Sequence, residues 1–107
     1  MNGELSFSQI IKRNGEKVDF NLEKIEHAIF KAMRAIGHPD RKKANELCLK
    51  VLEKLENNES RSIPTVESVQ DSVEKELFEY GDYQLLKAYI LYRKQRELTR
   101  NARDLFS

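Results

Sequence analysis

The dipeptide Asn14-Gly15 is the feature that most constrains how this chain of 107 residues can fold. It separates two stretches that favour β-strand, and Asn-Gly in that setting is the strongest short-range signal for a hairpin, because both central residues of a type I′ turn need positive φ. The pattern predicts a β-hairpin over about residues 7–20 with a two-residue turn. In that register, the face packed against the rest of the protein would carry Phe7, Ile11, Val18 and Phe20.

A helix is predicted directly after the hairpin. Asn21 suits a helix N-cap, and Phe20 and Ile25 have the spacing of a hydrophobic staple. Apolar residues then recur at helical spacing as far as Ile36, and Gly37 is typical of a helix end. The first helix should therefore span about residues 22–36.

Three further helices are predicted over about residues 40–56, 66–80 and 83–105. Pro39 stands where the second could begin, Thr65 suits the N-cap of the third, and Asp82 that of the fourth. Residues 85–92 are apolar on almost every face, which predicts a central position for the fourth helix. The short segment 62–63 could add an edge strand beside the hairpin.

The predicted fold class is α+β, mostly α. We expect one domain over residues 1–107, built as a four-helix bundle capped by a small two- to three-stranded sheet that includes the N-terminal hairpin. The composition agrees, because only four Gly and two Pro interrupt a chain that is 39% hydrophobic and 35% charged.

Charge and cysteine content limit the classes of function that the chain can have. A formal net charge of +1 creates no global field towards nucleic acid or membrane, so any anion site must be local. Cys48 is the only cysteine, which excludes an internal disulfide, a zinc knuckle and a redox pair. No membrane span or signal peptide is apparent, and the expected compartment is a reducing cytoplasm.

Cations accumulate around the hairpin and the first helix. Lys12, Arg13 and Lys17 lie in the hairpin, and Lys24 falls in the first helical turn, so together they could cradle a phosphate. Alternatively, the hairpin cations are solvated residues that protect an exposed strand edge, and Lys24 is an ordinary surface lysine. In an ideal strand Lys12 and Arg13 point to opposite faces, so they could share one ligand only at the end of the ladder.

A second basic region lies on the fourth helix. Arg93, Arg96, Arg100 and Arg103 fall on one helical face, which could contact a nucleic-acid backbone or nucleotide phosphates. The alternative is a solvated face, above all for Arg100 and Arg103. Arg93 and Arg96 lie nearer the packed half of the helix, where an unpaired charge is costly, so we expect them to have partners.

Four segments together resemble the ATP-cone, the nucleotide-binding regulatory domain at the N-terminus of many ribonucleotide reductases. They are residues 11–15 (Ile-Lys-Arg-Asn-Gly), 20–25 (Phe-Asn-Leu-Glu-Lys-Ile), 64–71 (Pro-Thr-Val-Glu-Ser-Val-Gln-Asp) and 88–93 (Ala-Tyr-Ile-Leu-Tyr-Arg). The similarity covers nearly the whole chain, and the family's fold, a four-helix bundle capped by a small three-stranded sheet, agrees with the fold predicted above.

The resemblance implies that ATP or dATP binds between the sheet cap and the helices as an allosteric ligand, with Mg²⁺ as a candidate companion. Phosphate-holding positions of the family match Lys12, Arg13 and Lys24. The full set of implied nucleotide-binding residues is Ile11, Lys12, Arg13, Asn21, Lys24, Thr65, Gln70, Tyr92, Arg93 and Arg96. No catalytic or metal-binding residue is implied, and no P-loop or dinucleotide fingerprint is present in the sequence.

The resulting hypothesis is an allosteric sensor that is not an enzyme on its own. It would control the activity or oligomerisation of a ribonucleotide reductase, acting on a reductase subunit or the rest of the same polypeptide, or through self-association. A single cysteine excludes the four-cysteine zinc ribbon of the nucleotide-reductase repressors that carry this domain. The main alternative is a free-standing helical adaptor or nucleic-acid-binding module that uses the basic fourth helix; a small ATPase or kinase is a third, disfavoured one.

Overall fold

A computed structural model describes residues 8–57 and 63–106, with side chains up to residue 102. A hairpin of β1 (Gln9–Ile11) and β2 (Lys17–Asp19) precedes four helices: α1 (Leu22–Ala35), α2 (Arg41–Glu56), α3 (Val66–Tyr80) and α4 (Tyr83–Phe106). The predicted class, mostly α with a small sheet, is confirmed. Within the described residues, no helix is both long and apolar enough to cross a membrane.

The four helices form a ring in which each packs against two others. Helix α1 contacts α2 and α4, and α3 contacts the same two helices from the opposite side. Apolar residues three or four positions apart on each helix meet inside the ring. The largest fully buried side chains of this core are Ile29, Leu47, Val51, Val73, Leu77 and Leu85.

Helix α4 is not the central helix, and this part of the prediction is wrong. Of its apolar residues, Leu85 and Tyr89 are buried, whereas Ile90 and Leu91 are 37% and 55% exposed. A ring of four helices gives each member only two neighbours, so one side of α4 meets solvent even where the sequence is apolar.

Local side-chain bonds fix where the helices begin. Asn21 Oδ1 accepts from Glu23 N–H at 3.0 Å, which confirms the predicted N-cap of α1. Helix α2 begins at Arg41, two residues beyond Pro39, because Asp40 Oδ1 accepts from the backbone N–H of the third helical residue at 3.0 Å.

Helices α3 and α4 have the predicted caps. Thr65 and Ser68 form a reciprocal capping box, in which each side chain accepts a bond from the other residue's backbone N–H at 3.0 Å. Helix α3 ends at Tyr80 and is capped by Gly81, whose φ of +92° is the left-handed conformation that favours glycine. Asp82 Oδ1 then accepts from Leu85 N–H at 3.0 Å at the start of α4.

The hairpin exists as predicted, but its turn has three residues rather than two. Ile10 pairs with Val18, and Lys12 N–H donates to Glu16 O at 2.8 Å. The loop is therefore residues 13–15, with Gly15 at φ +88°. A three-residue loop that ends in a left-handed glycine is typical of a type I turn followed by a bulge.

This register reverses the predicted faces of β1. Ile10, Val18 and Phe20 share the face towards the helices, and Ile10 and Phe20 pack against the core. Ile11 was predicted on that face and lies on the opposite one, because a slip of one residue moves every side chain of a strand to the other face. Phe7 lies outside the described residues.

The predicted third strand is reduced to a single bridge. Ile11 N–H donates to Pro64 O at 2.9 Å, and Ile11 forms an isolated parallel bridge with Thr65. Ser62 lies outside the described residues, so the sheet described here has two strands. The bridge fastens β1 to the residue that caps α3.

The register predicts unequal effects for two adjacent isoleucines. Ile10→Ala removes a side chain packed on the core and should lower the free energy of unfolding by about 1–2 kcal/mol. Ile11→Ala should cost clearly less, because Ile11 fastens the hairpin mainly through its backbone. Urea unfolding of the two variants measures the difference, and a larger loss for Ile11→Ala would contradict the register.

Candidate functional site

A cavity of about 840 Å³ lies beneath the hairpin. The hairpin supplies Ile10 and Val18 to its wall, α1, α3 and α4 supply most of the remaining sides, and α2 contributes its first residue, Arg41. This volume lies within the range of clefts that hold small-molecule ligands. The cavity forms because the hairpin packs where α1 and α3 begin, and because α4 is long enough to continue past that end of the bundle.

The cavity lining is strongly cationic although the whole chain is nearly neutral. Among the described residues, eight basic side chains border it, against the three acidic residues Asp19, Glu23 and Glu26. The basic residues are Lys12, Arg13, Lys24, Lys31, Arg41, Arg93, Arg96 and Arg100. A local excess of this kind favours an anionic ligand.

The hairpin turn explains how Lys12 and Arg13 border one cavity. Lys12 is the last paired residue of the ladder, and Arg13 is the first residue of the loop, where strand alternation no longer applies. Both side chains therefore reach the cavity from the end of the ladder. Lys12 Nζ lies 3.4 Å from Glu16 Oε1, but both side chains are largely exposed, so this ion pair is weak.

The first turn of α1 borders the cavity with Asn21 and Lys24. Because the Asn21 carbonyl oxygen Oδ1 already caps the helix, only the amide nitrogen of this side chain remains as a donor. Lys24 is the third helical residue and has no carboxylate within ion-pair distance among the described residues. An exposed cation beside the positive end of a helix is mildly unfavourable on its own and favourable once an anion joins it.

Arg13 is already held by two acids from different helices. Its Nε donates to Glu67 Oε2 of α3 and its Nη1 donates to Glu97 Oε1 of α4, both at 3.0 Å. The hydrogen bond from Arg13 lowers the pKa of Glu97. The pKa of Glu67 is lowered first by its own backbone N–H and then by Arg13. The hydrogen bonds to these carboxylates raise the pKa of Arg13 in turn.

Arg93 also has acidic partners, on α3. It forms a salt bridge with Glu74, and its Nη1 lies 3.5 Å from Asp71 Oδ1. Burial lowers the pKa of Arg93, but the hydrogen bond and charge of Glu74, together with the charge of Asp71, leave the pKa raised. This confirms that Arg93 has partners, whereas Arg96 has no carboxylate partner among the described residues.

One part of the cavity is apolar. Val66, Val69 and Val73 of α3 border it together with Tyr89 of α4, which is only 4% exposed. Burial raises the pKa of the Tyr89 hydroxyl above the ordinary tyrosine value. Half-buried Tyr92 lies nearby, with Lys31 Nζ 5.9 Å from its ring centroid. A cavity with a cationic wall and an apolar wall suits a ligand that has an anionic part and an apolar part.

Eight of the ten predicted nucleotide-binding residues border this cavity. They are Lys12, Arg13, Asn21, Lys24, Gln70, Tyr92, Arg93 and Arg96. Ile11 and Thr65 do not border it; they meet each other in the bridge that fastens the hairpin to α3. Contact of the eight residues with a nucleotide remains a prediction.

Several residues of the cavity were missed from the sequence. Lys31 lies two helical turns after Lys24, so it could have been found by extending the face of α1. Arg41 belongs to α2, and its Cζ lies 3.9 Å from the centroid of the Phe30 ring of α1. No local sequence pattern indicates this contact between helices. His27 of α1 also borders the cavity.

The chain belongs to the ATP-cone family. The family model of the ATP cone domain matches residues 8–98, which include both strands and most of the four helices. The resemblance identified from the sequence motifs is therefore confirmed.

Related proteins are much longer ribonucleotide reductases. The chain is 36% identical over 104 residues to a vitamin B12-dependent ribonucleoside-diphosphate reductase of Thermoplasma acidophilum, covering 91% of this chain and 13% of the relative. It is 38% identical over 103 residues to a ribonucleoside-diphosphate reductase subunit alpha of Chlamydia muridarum, covering 88% of this chain and 10% of that relative. An anaerobic ribonucleoside-triphosphate reductase of Salmonella typhimurium is 35% identical over 95 residues, which cover 88% of this chain and 13% of that relative.

The chain thus spans about a tenth of the length of the curated relatives that it matches. The matched part lies in the N-terminal region of the reductases and corresponds to a small regulatory domain. ATP-cone domains of ribonucleotide reductases generally serve allosteric regulation through nucleotide binding.

The Arg13 ion pairs predict a shifted titration. In wild type Glu97 should titrate below the ordinary glutamate value of 4.5, and Arg13→Gln should return it towards that value. A carboxyl group whose pKa is lower in the folded state than in the unfolded state stabilises the fold at a pH above both values and not at a pH below both. Arg13→Gln should therefore lower the free energy of unfolding at neutral pH and change it little in strong acid.

Side-chain carboxyl NMR measures this titration directly. Glu79 is the internal control, because Lys54 lowers its pKa far from Arg13 and its titration should not change in Arg13→Gln. An ordinary titration of Glu97 in the wild-type protein would contradict the paired geometry.

Proposed function

We propose that the cavity beneath the hairpin binds an adenine nucleotide, ATP or dATP, as an allosteric ligand. The observation that carries the proposal is the clustering of eight basic side chains around a cavity that also has an apolar wall. The polyanionic chain of a nucleoside triphosphate suits the basic part, and a purine suits the apolar part. Membership of the ATP-cone family supports the same ligand class.

The phosphate chain would bind between the hairpin tip and the start of α1. Lys12 and Lys24 approach this region from different elements, and Lys24 has no competing carboxylate among the described residues. The N-terminus of α1 adds its partial positive charge. Arg96, on the α4 side of the cavity, offers another cation without an acidic partner in the described part of the chain.

The adenine would bind against the valines of α3 and the aromatic residues of α4. Val69 and Tyr89 are nearly fully buried and form an apolar surface, and half-buried Tyr92 could stack on a base. Gln70 lies on the same side and can both donate and accept hydrogen bonds, as the polar edge of adenine requires.

Any Mg²⁺ at this site would arrive with the nucleotide. Within residues 8–57 and 63–102, no group of three or more histidine, cysteine or acidic side chains could hold a metal ion. Phosphate oxygens are customary Mg²⁺ ligands in nucleotide sites, with the remaining positions kept by water.

The proposed target of regulation is a ribonucleotide reductase, either as a separate subunit or as the rest of the same polypeptide. Control of oligomerisation through contacts of this domain with another copy is part of the proposal. The single free cysteine, buried Cys48, suits a reducing compartment, and we propose the cytoplasm.

The nucleic-acid alternative is less well supported by the contacts of α4. A free basic stripe would leave its arginines available for a backbone, yet Arg93 is engaged by Glu74 and Asp71, and Arg96 and Arg100 border the cavity. A cation that is already paired adds little to counterion release.

Calorimetric titration with ATP, dATP and GTP tests the proposed function. We expect saturable binding of ATP and dATP at concentrations below a millimolar, and weaker binding of GTP because its base edge presents a different donor and acceptor pattern. Lack of heat with both adenine nucleotides at millimolar concentration would contradict the proposal.

A substitution at Lys24 tests where the phosphates bind. Lys24→Ala removes a charge-assisted contact and should lower the affinity for ATP by about tenfold to a hundredfold. The ligand-free protein should be as stable as wild type or slightly more so, because a cation near the positive end of α1 is lost.

Lys50→Ala is the matched control, since Lys50 is exposed on α2 and does not border the cavity. Equal ATP affinities of Lys24→Ala and wild type would remove the start of α1 from the site.

A further inference from the structure

The basic residues around the cavity fall into two groups. Lys24 and Arg96 have no carboxylate partner among the described residues, so a phosphate could bind them without displacing anything. Arg13 is different, because two acids from two helices hold its guanidinium while the hairpin carries its backbone. A phosphate that contacts Arg13 must therefore compete with Glu67 and Glu97 for its guanidinium.

Two of the three nitrogen atoms of the Arg13 guanidinium already donate to carboxylates. A guanidinium makes bidentate bonds to an oxyanion through the Nε and Nη2 edge or through the Nη1 and Nη2 edge. Glu67 occupies Nε and Glu97 occupies Nη1, both at 3.0 Å. A phosphate bound through the Nε and Nη2 edge must displace Glu67, and a phosphate bound through the Nη1 and Nη2 edge shares Nη1 with Glu97 and meets the negative charge of that carboxylate.

We infer that Glu67 and Glu97 compete with the nucleotide's phosphates for Arg13 and so weaken nucleotide binding. The inference rests on the proposed function of the cavity. Both ion pairs are solvent-accessible, with 54% of the Arg13 side chain and 36% of the Glu97 side chain exposed. Exposed pairs are weak, so a triphosphate can replace them at a modest loss of affinity.

The exchange would also give the two ligand states different contacts. In the structure, the Arg13 ion pairs connect the hairpin tip to the start of α3 and to α4 beyond its core-packed half. Transfer of Arg13 to a phosphate loosens one or both connections. An allosteric domain needs such a difference, because a ligand shifts an equilibrium only through contacts that differ between states.

Glu97→Gln is the most direct test, with ATP as the probe in calorimetric titrations. The change removes the charge but keeps the shape, and we expect ATP to bind about twofold to fivefold more tightly than to wild type. Glu67→Gln should act in the same direction, although Glu67 also bonds to its own backbone at the helix start. Unchanged or weaker ATP binding by Glu97→Gln would overturn the inference, because Glu97 would then only orient Arg13.

Glu46→Gln is the matched control. Glu46 pairs with Lys43 at 3.1 Å on the surface of α2, and neither residue borders the cavity. Its ATP affinity should equal that of wild type, and an equal gain in Glu46→Gln and Glu97→Gln would overturn the inference by revealing a general charge effect.

A double-mutant cycle separates competition for Arg13 from the general field of the cavity. In an Arg13→Gln background, Glu97→Gln should no longer improve ATP binding, and persistence of the full gain would overturn the inference. Failure of the wild-type protein to bind ATP would overturn the proposed function as well. Binding by wild type with no effect of Glu97→Gln would overturn this inference alone.

Discussion

The packing of the hairpin onto the helices is the constraint on which the candidate site depends. Two strands of three residues would not be stable alone, so their position is set by what they contact. Ile10 and Phe20 pack on the core, and the backbone of Ile11 bonds to Pro64 just before α3. With the hairpin fixed in this way, Lys12 and Arg13 border a cavity whose other walls are helical.

The helices were predictable because their signals are local. Apolar spacing sets which face is buried, and caps such as Asn21, Thr65 and Gly81 mark the ends within a few residues of the bonds they make. The register of the hairpin was not predictable in the same way. An Asn-Gly pair suits a two-residue turn and also the end of a three-residue turn, and the packing of Ile10 rather than Ile11 on the core decides between them.

The candidate site shows the same division between local and distant information. The cations of the hairpin and of α1 lie in short motifs, so the sequence indicates them. The acidic partners of Arg13 do not lie in these motifs, because Glu67 and Glu97 are 54 and 84 residues away along the chain. In a chain with 18 acidic residues, nothing local singles out the two that meet this arginine.

The central claim is that an adenine nucleotide binds under the hairpin, and backbone amide NMR during an ATP titration tests it most directly. The account predicts that the largest shift changes occur in residues 12–24 and in the cavity-facing parts of α3 and α4, while the far surface around Leu49 and Phe78, which are both exposed, changes little. Absence of shift changes, or their concentration around Leu49 and Phe78, would contradict it.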